Sequence, residues 1–239
     1  MDFKGWFRLR DRSRCDPLTI SDNFSRYLLC CEANGNQLHT TVERDLWATF
    51  DKFGLPDAIR VDNGQPWSAP CGELQLTTLS VKILRLDVAV ERIERGKPQQ
   101  NGRHERMHLT VEQETVEPPA ASLRAQNFRF GRFLAEFNNV RPHEALGQRT
   151  PASVYKPSVR SLPSKLPEPT YPSDYKTHRV NIGGRVSFMK QQIFISTALD
   201  KQVIGTFEVA EGCYEVRFCS ELLGHVNLAH LELGLVTPT

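Results

Sequence analysis

The sequence predicts an α/β protein with a mixed sheet and flanking helices, followed by a small all-β domain. Three observations support this fold class. Strand-length apolar runs come first, helices then alternate with strands, and the chain after a proline-rich segment has only strand character. Such an order of elements is typical of a layered α/β structure joined to a separate β structure.

The elements of the first part follow from apolar periodicity and from turn residues. Two apolar runs separated by Asp22-Asn23 extend an initial strand into a three-stranded antiparallel meander. The first helix has apolar residues at helical spacing and ends before Gly54. The predicted strands are 3–7, 18–21, 27–31, 58–62 and 88–93, and the predicted helices are 40–53, 74–86, 101–115 and 122–138.

The composition changes at Lys156, where five prolines within a short span predict an extended linker. From about Thr177, short strands separated by turn residues predict a small closed or half-closed barrel. We therefore expect a core at 1–155, a linker at 156–176 and a β domain at 177–239.

The bulk composition excludes several classes of protein. The chain has 239 residues, 39% hydrophobic content and a net charge of +2, so a polyanion would be recognised by local patches. The sequence has no membrane-length apolar stretch, and its first residues do not predict a secretory signal. The six cysteines lack metal-binding spacing and predict reduced thiols in a cytoplasmic protein.

The segment Asn101-Gly-Arg-His-Glu-Arg-Met-His108 permits two interpretations. His104-Glu105-x-x-His108 matches a zinc-protease signature. The extended signature fails, because Val111 and Glu114 stand where a glycine and a third histidine are required. Arg103 and Arg106 would also oppose a divalent cation held by neutral imidazoles.

The second interpretation makes Glu105 one of three carboxylates that bind metal ions. Asp2 lies in the first strand, Asp62 ends a strand before an Asn-Gly turn, and Glu105 begins a helix. Carboxylate oxygens suit magnesium, and two such ions assist phosphoryl transfer. Taken singly, each residue also fits a surface acid, a turn aspartate or a helix-start glutamate.

Several motifs surround these acids in a fixed order. They are Met1-Asp-Phe-Lys-Gly-Trp-Phe7, Asp22-Asn-Phe-Ser-Arg-Tyr27, Arg60-Val-Asp-Asn-Gly64, Lys97-Pro-Gln-Gln-Asn-Gly-Arg-His-Glu-Arg-Met-His108 and Phe137-Asn-Asn-Val-Arg-Pro-His-Glu-Ala-Leu-Gly-Gln-Arg-Thr-Pro-Ala152. Together they resemble bacterial insertion-sequence transposases of the retroviral-integrase superfamily, over nearly the whole chain.

The resemblance implies an RNase-H-like core with a five-stranded mixed sheet and an SH3-like C-terminal barrel. It implies that Asp2, Asp62 and Glu105 are catalytic and hold two Mg²⁺ or Mn²⁺ ions. The implied reaction is cleavage at DNA element ends and attack of the 3'-hydroxyl on target DNA. Implied partners are DNA and further copies of the chain on DNA, with no membrane and no small-molecule substrate.

Cationic and polar residues near the acids are candidate DNA contacts, with solvated or capping roles as alternatives. They are Lys97, Gln100, Asn101, Arg103, Arg106, His108, Arg141 and His143. Arg8, Arg10, Arg12 and Arg14 alternate, so an extended hairpin would place them on one basic face, or they form a solvated hairpin tip.

The similar transposases carry an upstream helix-turn-helix region, whereas this chain begins one residue before Asp2. We therefore expect a truncated remnant or a mis-started reading frame. A catalytically dead DNA-binding or regulatory protein is the alternative to an active enzyme.

Overall fold

A computed structural model describes residues 1–69, 74–94 and 102–237, which fall into two compact units. The first unit comprises Met1–Pro66 and Glu91–Leu162, and the second comprises Trp67–Val90 and Pro163–Thr239. The domain boundaries predicted from the sequence stay a prediction. The compact units follow a different division, in which Trp67–Val90 belongs with the C-terminal strands.

The helices and strands of both units follow in chain order. They are β1 (Asp2–Phe3), β2 (Phe7–Arg8), β3 (Arg14–Ser21), β4 (Leu28–Asn34), α1 (His39–Phe53), β5 (Ala58–Val61), α2 (Thr78–Arg85), β6 (Ala89–Arg92), α3 (Gly102–Val111), α4 (Leu123–Asn139), α5 (Pro151–Val154), β7 (Lys176–Arg179), β8 (Arg185–Phe188), β9 (Gln191–Phe194), β10 (Val203–Ala210), β11 (Cys213–Phe218) and β12 (Glu221–Asn227).

In the first unit, β3 pairs antiparallel with β4 on one edge and with both β1 and β2 on the other. β5 pairs with β6. Counting β1 and β2 as one interrupted strand gives the five predicted strands. The predicted α/β class is thereby confirmed, although the strands form a four-stranded sheet and a two-stranded sheet.

A β-bulge separates β1 from β2. Phe3 pairs with Leu18 and Phe7 pairs with Cys15, so the first segment holds one residue more than β3 over this stretch. Gly5 lies in the bulge with φ +94°, a conformation that glycine adopts without the steric cost of a Cβ.

The bulge reverses the alternation of side chains along this segment. Without an extra residue, positions 2 and 7 would face opposite sides of the sheet, since side chains alternate along a strand. With it, Phe7 packs beside Cys15 in the core that α3 and α4 cover. Asp2 pairs with Thr19, which lies on the same face of β3 as Cys15.

Helices cover both faces of the four-stranded sheet. Cys31 and Ala33 of β4 pack against buried residues of α3 and α4. Asn34 points to the other face, where its Nδ2 donates to Asp45 Oδ2 of α1 at 2.7 Å. The first unit is therefore a helix–sheet–helix layer structure.

In the second unit, β12, β11, β10 and β7 form an antiparallel sheet, and β8 pairs with β9 as a hairpin. Leu76, Val81 and Leu84, from α2 and the residues before it, share one apolar core with residues of these strands. The predicted all-β character of the C-terminal part is thus observed, with one helix added to it.

Two helices differ from their predicted bounds. α2 begins at Thr78 because Thr77 caps it, accepting from Ser80 N–H at 3.2 Å while Ser80 Oγ accepts from Thr77 N–H at 2.8 Å. The helix predicted to reach residue 115 ends at Val111 and continues as a π-helical turn, Glu112–Val116. Within the described residues, no helix has both the length and the apolar character that a membrane crossing requires.

Asn138 at the end of α4 fixes this helix to β4. Its side chain is fully buried, accepts from Leu28 N–H at 2.8 Å and donates to Leu28 O at 2.9 Å. We expect Asn138→Ala to lower the free energy of unfolding by about 2 to 4 kcal/mol, because two buried backbone groups lose their partners. Chemical denaturation measures this change.

Asn139→Ala is the matched control, since the neighbouring side chain is exposed and bonds only within its own helix in the described structure. We expect it to change stability by less than about 0.5 kcal/mol. Equal effects of the two substitutions would contradict the role assigned to Asn138.

Candidate active site

Asp2 and Asp62 lie close together in the first unit. The Met1 amino group donates to Arg60 O at 2.9 Å, which brings the start of β1 beside β5. Burial lowers the pKa of this amino group to about 6, while the neighbouring carboxylates of Asp2 and Asp62 act to raise it. Both predicted aspartates therefore border the same amino group.

A tight turn orients the Asp62 carboxylate directly after β5. Asp62 Oδ1 accepts from Gly64 N–H at 3.0 Å, and Asn63 Nδ2 donates to Ile93 O at 2.8 Å. A Cβ at Gly64 would lie 3.3 Å from Asp62 Oδ2, closer than most side-chain contacts. The Asp-Asn-Gly sequence thus combines an aspartate turn, an anchor to the next strand and room for the carboxylate.

α3 docks onto the sheet through one threonine. Thr19 Oγ1 lies 2.9 Å from His104 Nε2 and 2.7 Å from His108 Nε2, and it donates to Asp2 O at 3.0 Å. Thr19 is also the cross-strand partner of Asp2. The helix that carries Glu105 is therefore fixed to the strand pair that carries Asp2.

The hydrogen bonds around Thr19 indicate which ring nitrogens of His104 and His108 carry a proton. A threonine hydroxyl has one proton and accepts two hydrogen bonds. If that proton goes to Asp2 O, both histidines donate from Nε2 to Thr19. His104 Nδ1 can then accept from Ser21 Oγ at 3.3 Å. Burial agrees with two neutral rings, since it lowers the pKa of His104 to about 2 and that of His108 to about 4.

This arrangement does not support the zinc-protease interpretation. Both Nε2 atoms already face Thr19, and the rings meet edge to face with centroids 5.0 Å apart. Zinc requires unprotonated ring nitrogens that converge with a third ligand. Among the described residues, no three His, Cys, Asp or Glu side chains are grouped so that they could hold a metal ion.

Glu105 is exposed on α3, next to the buried His104. Among the described residues, the predicted carboxylates also do not form a group of three that could hold a metal ion. Asp2 and Asp62 are near one another, and Glu105 stands on the docked helix without being gathered with them into one ligand set.

A groove of about 1470 Å³ lies beside this cluster in the first unit. Its wall includes Met1, His104 and Arg106, and it extends to Arg141 and His143. Arg106 is exposed and, among the described residues, forms no salt bridge with a carboxylate. Its guanidinium is therefore available to an anionic ligand.

Arg141 and His143 have structural partners. Arg141 Nη2 donates to both carboxylate oxygens of Glu114 at 2.7 Å, and its guanidinium lies 5.8 Å from the ring centres of Phe133 and Phe137. The His143 ring meets Phe137 edge to face at 4.8 Å, and burial lowers its pKa. Both residues also line the groove, and their contact with DNA stays a prediction.

One predicted DNA contact needs correction, and four others involve side chains outside the described part of the chain. His108 is only 9% exposed and faces Thr19, so its ring is not presented to a nucleic acid. The sequence pattern placed it on the helix that bears Glu105 but did not indicate which face is buried. Lys97, Gln100, Asn101 and the side chain of Arg103 lie outside the described residues.

Sequence reasoning missed Thr19, Ser21 and Gly64 as parts of this site. Thr19 and Ser21 alternate with apolar residues along β3, a pattern that places polar side chains on one face. Only the register with β1 shows that this face meets Asp2. Gly64 was recognised as a turn residue, and its contact with the Asp62 carboxylate required coordinates.

Comparisons with known proteins concern the fold of the chain. Residues 86–151 match the family model described as the integrase core domain. A chain of the simian T-cell lymphotropic virus intasome, solved in complex with PP2A regulatory subunit B56 gamma, has a TM-score of 0.51 and 15% identity, covering 100% of this chain and 78% of that chain. The HTLV-2 integrase catalytic core domain in complex with magnesium (trimeric form) has a TM-score of 0.50 and 11% identity, covering 65% of this chain and 93% of that chain.

These findings confirm the predicted resemblance to the integrase superfamily and the RNase-H-like fold. The family match includes Glu105 and the segment after α4 but neither Asp2 nor Asp62. The assignment of those two aspartates therefore depends on the motifs and on their position in the structure.

The buried imidazoles predict a pH-dependent stability. Unfolded histidines titrate near 6.5, whereas His104 and His108 have lowered pKa values when folded, so the unfolded state binds more protons below pH 6.5. The stabilisation is complete above pH 6.5 and is lost as the pH falls. Each imidazole contributes about 1.4 kcal/mol per pH unit, down to its folded pKa.

Denaturant unfolding between pH 7 and pH 5 measures this slope. We expect His108→Gln to reduce the slope, because glutamine carries no proton in this range. His230→Gln, a change at an exposed histidine, is the control and should leave the slope unchanged. Identical slopes in the wild type and His108→Gln would show that the buried pair does not carry the effect.

Proposed function

We propose that this integrase-core chain is a transposase-type polynucleotidyl transferase. It would cut DNA at the ends of an element and join the freed 3'-hydroxyl to a phosphodiester of target DNA. The integrase-core match and the RNase-H-like fold support the general class of function. The observation that carries the proposal is the proximity of Asp2 and Asp62 beside the helix that bears Glu105.

The chemistry of these donors fits a hard divalent cation. Carboxylate oxygens are preferred by Mg²⁺ and Mn²⁺, whereas the nearby imidazoles are hydrogen-bonded to Thr19. We assign Asp2, Asp62 and Glu105 as the residues that would hold two such ions. When bound, the ions would supply charge neutralisation at the phosphate and assist deprotonation of the attacking hydroxyl. The similar HTLV-2 core was solved with magnesium.

The residues of the chain would position the polynucleotide. Arg106 is one position beyond Glu105 on α3 and lines the groove, where its guanidinium would bind a phosphate. The turn at Asp62 would hold one carboxylate towards the reacting phosphate, because Gly64 N–H fixes Oδ1. Thr19 would act as a positioning residue by holding α3, and therefore Glu105, against the strands.

The partners would be DNA and further copies of the chain. The first similar structure is an intasome and the second is a trimeric form, as named for those proteins. We propose that this chain likewise acts as an oligomer on paired DNA ends, since joining two ends to one target requires more than one catalytic centre.

A catalytically inactive DNA-binding protein is the second candidate function. The observation that favours it is that the described residues contain no assembled three-ligand group. An inactive protein would keep the fold and the exposed Arg106 but would not respond to divalent cations. The two experiments below separate the candidates.

The first experiment is strand transfer on labelled oligonucleotides that carry candidate element ends. We expect product with Mg²⁺ and a loss of at least about a hundredfold in rate for Asp62→Asn, because this change removes charge at a ligand position but keeps the side-chain shape. Asp57→Asn, at the opposite end of β5 with a fully exposed side chain, should retain activity. Equal products from wild type and Asp62→Asn would refute catalysis at this site.

The second experiment tests metal binding without substrate. Thermal unfolding should shift upward by a few degrees in 10 to 20 mM Mg²⁺ (roughly ten dissociation constants for a millimolar site), because a ligand that binds only the folded state stabilises it. Asp62→Asn should remove the shift and Glu105→Gln should reduce it. Glu91→Gln, at a carboxylate engaged by Arg60 at 2.8 Å, is the control. If Mg²⁺ did not raise the unfolding temperature of the wild type, the result would favour the inactive DNA-binding protein.

A further inference from the structure

An exposed tryptophan stands among arginines on the hairpin formed by β2 and β3. Trp6 is 53% exposed although it lies one residue before a strand. The guanidinium carbons of Arg8 and Arg14 lie 5.9 Å and 5.1 Å from its ring centre. Arg10 and Arg12 are also exposed on the same hairpin. We call Trp6, Arg8, Arg10, Arg12 and Arg14 the hairpin platform.

A buried aspartate holds the platform in place. Arg14 donates from Nε and Nη2 to the two oxygens of Asp16 at 2.6 Å and 2.8 Å, and Asp16 is fully buried. Gln37 donates to Asp16 Oδ1 at 2.7 Å. The guanidinium beneath Trp6 is therefore fixed from the interior, which limits the freedom that the indole would lose when a ligand binds.

The backbone directs Arg8 to the side of Trp6 and leaves the arginines of the turn exposed. The bulge at Gly5 aims Trp6 away from the α3 and α4 face. Leu9 is buried, so the alternating neighbours Arg8 and Arg10 point outward. A turn closes the hairpin, with Leu9 N–H donating to Ser13 O at 3.0 Å. An aromatic face thus stands beside several outward cations.

The charge of the platform exceeds what its own acids balance. Asp16 neutralises Arg14, and Asp11 accepts from Ser13 N–H at 2.9 Å and from Ser13 Oγ at 2.5 Å. Among the described residues, Arg8, Arg10 and Arg12 form no salt bridge. Besides its contact with the Trp6 ring, the Arg8 side chain donates a long hydrogen bond of 3.4 Å to Arg12 O. The surface therefore favours an anionic ligand.

We propose that the hairpin platform binds an unpaired nucleic-acid strand. One base would stack on Trp6, and Arg8 and Arg10 would bind the adjoining phosphates. Unpaired bases offer a flat face, and stacking on aromatic side chains is independent of sequence. An acidic protein segment would use the arginines but would leave the indole face without a matching partner.

This inference rests on the proposed function only in taking a polynucleotide as the ligand. The platform contains none of Asp2, Asp62 and Glu105, so strand binding can be measured without catalysis. A single strand becomes available wherever DNA ends are opened during cleavage and joining. The platform would hold such a strand on the same unit that carries Asp2, Asp62 and Glu105.

The test is fluorescence anisotropy with a labelled oligothymidylate and the full chain in EDTA, over a series of salt concentrations. We expect Trp6→Ala to weaken binding at least about fivefold, because the loss of one stacked base is large. The slope of log affinity against log salt should be the same for Trp6→Ala as for the wild type, since no phosphate contact is lost. Trp6→Phe should retain most of the affinity and shows whether an aromatic face is what matters.

The arginines should respond differently to salt. We expect Arg8→Gln and Arg10→Gln each to weaken binding and to reduce the slope of log affinity against log salt by about 0.7, the value for one phosphate contact on a single strand. Phe24→Ala and Arg132→Gln are matched controls, because they change an exposed aromatic and an exposed arginine elsewhere in the same unit. Both controls should bind as the wild type does, and thermal unfolding verifies the fold of every variant.

Several results would overturn the proposal. Unchanged affinity in a folded Trp6→Ala chain would exclude stacking on the indole. Equal losses for Trp6→Ala and Phe24→Ala would exclude a specific platform, and displacement of the oligonucleotide by polyglutamate at equal charge would indicate an acidic protein partner instead. Strand transfer by Asp62→Asn reports separately on the catalytic proposal, since the anisotropy measurement in EDTA involves no divalent cation.

Discussion

The hydroxyl group of Thr19 joins the helix and strands that carry Glu105 and Asp2 in the first unit. It contacts both histidines of α3 and the backbone of Asp2, and it is fully buried. A hydroxyl can donate once and accept twice, and these three contacts use that capacity completely. The docking of the helix is therefore specified by hydrogen bonding as well as by the apolar core beneath it.

This docking explains why two imidazoles one helical turn apart do not form a metal site. In a metalloprotease the paired rings must present unprotonated nitrogens to a shared ion. Here the paired nitrogens share a threonine, and their burial keeps them neutral. The same helix leaves Glu105 exposed, so one short motif separates a structural face from a face available for chemistry.

Much of the fold could be predicted from apolar periodicity. The meander, the α1 helix and α4 lie close to their predicted ranges because long periodic segments bury one face. The start of α2 was displaced because the capping pair Thr77 and Ser80 outweighs the apolar residues before it. The packing of Trp67–Val90 with the C-terminal strands depends on long-range contacts, which local patterns do not encode.

The site was predicted less completely than the fold. Asp2 and Asp62 were assigned from the resemblance of the motifs around them, and in the structure both carboxylates act on the amino group of Met1. His108 was assigned to DNA because its helix carries Glu105, yet it faces inward. Trp6 was overlooked although the neighbouring arginines were noticed, since a bulge changes the alternation on which strand reasoning relies.

The bulge also fixes the length of the segment between residues 2 and 7. A segment one residue shorter would restore simple alternation. Asp2 and the apolar side chain of Phe7 could then no longer lie on the same face of the sheet. Substitutions that preserve the left-handed backbone at position 5 keep this arrangement, whereas an insertion or deletion reverses it. Among distant relatives, this stretch should therefore vary in composition far more readily than in residue count.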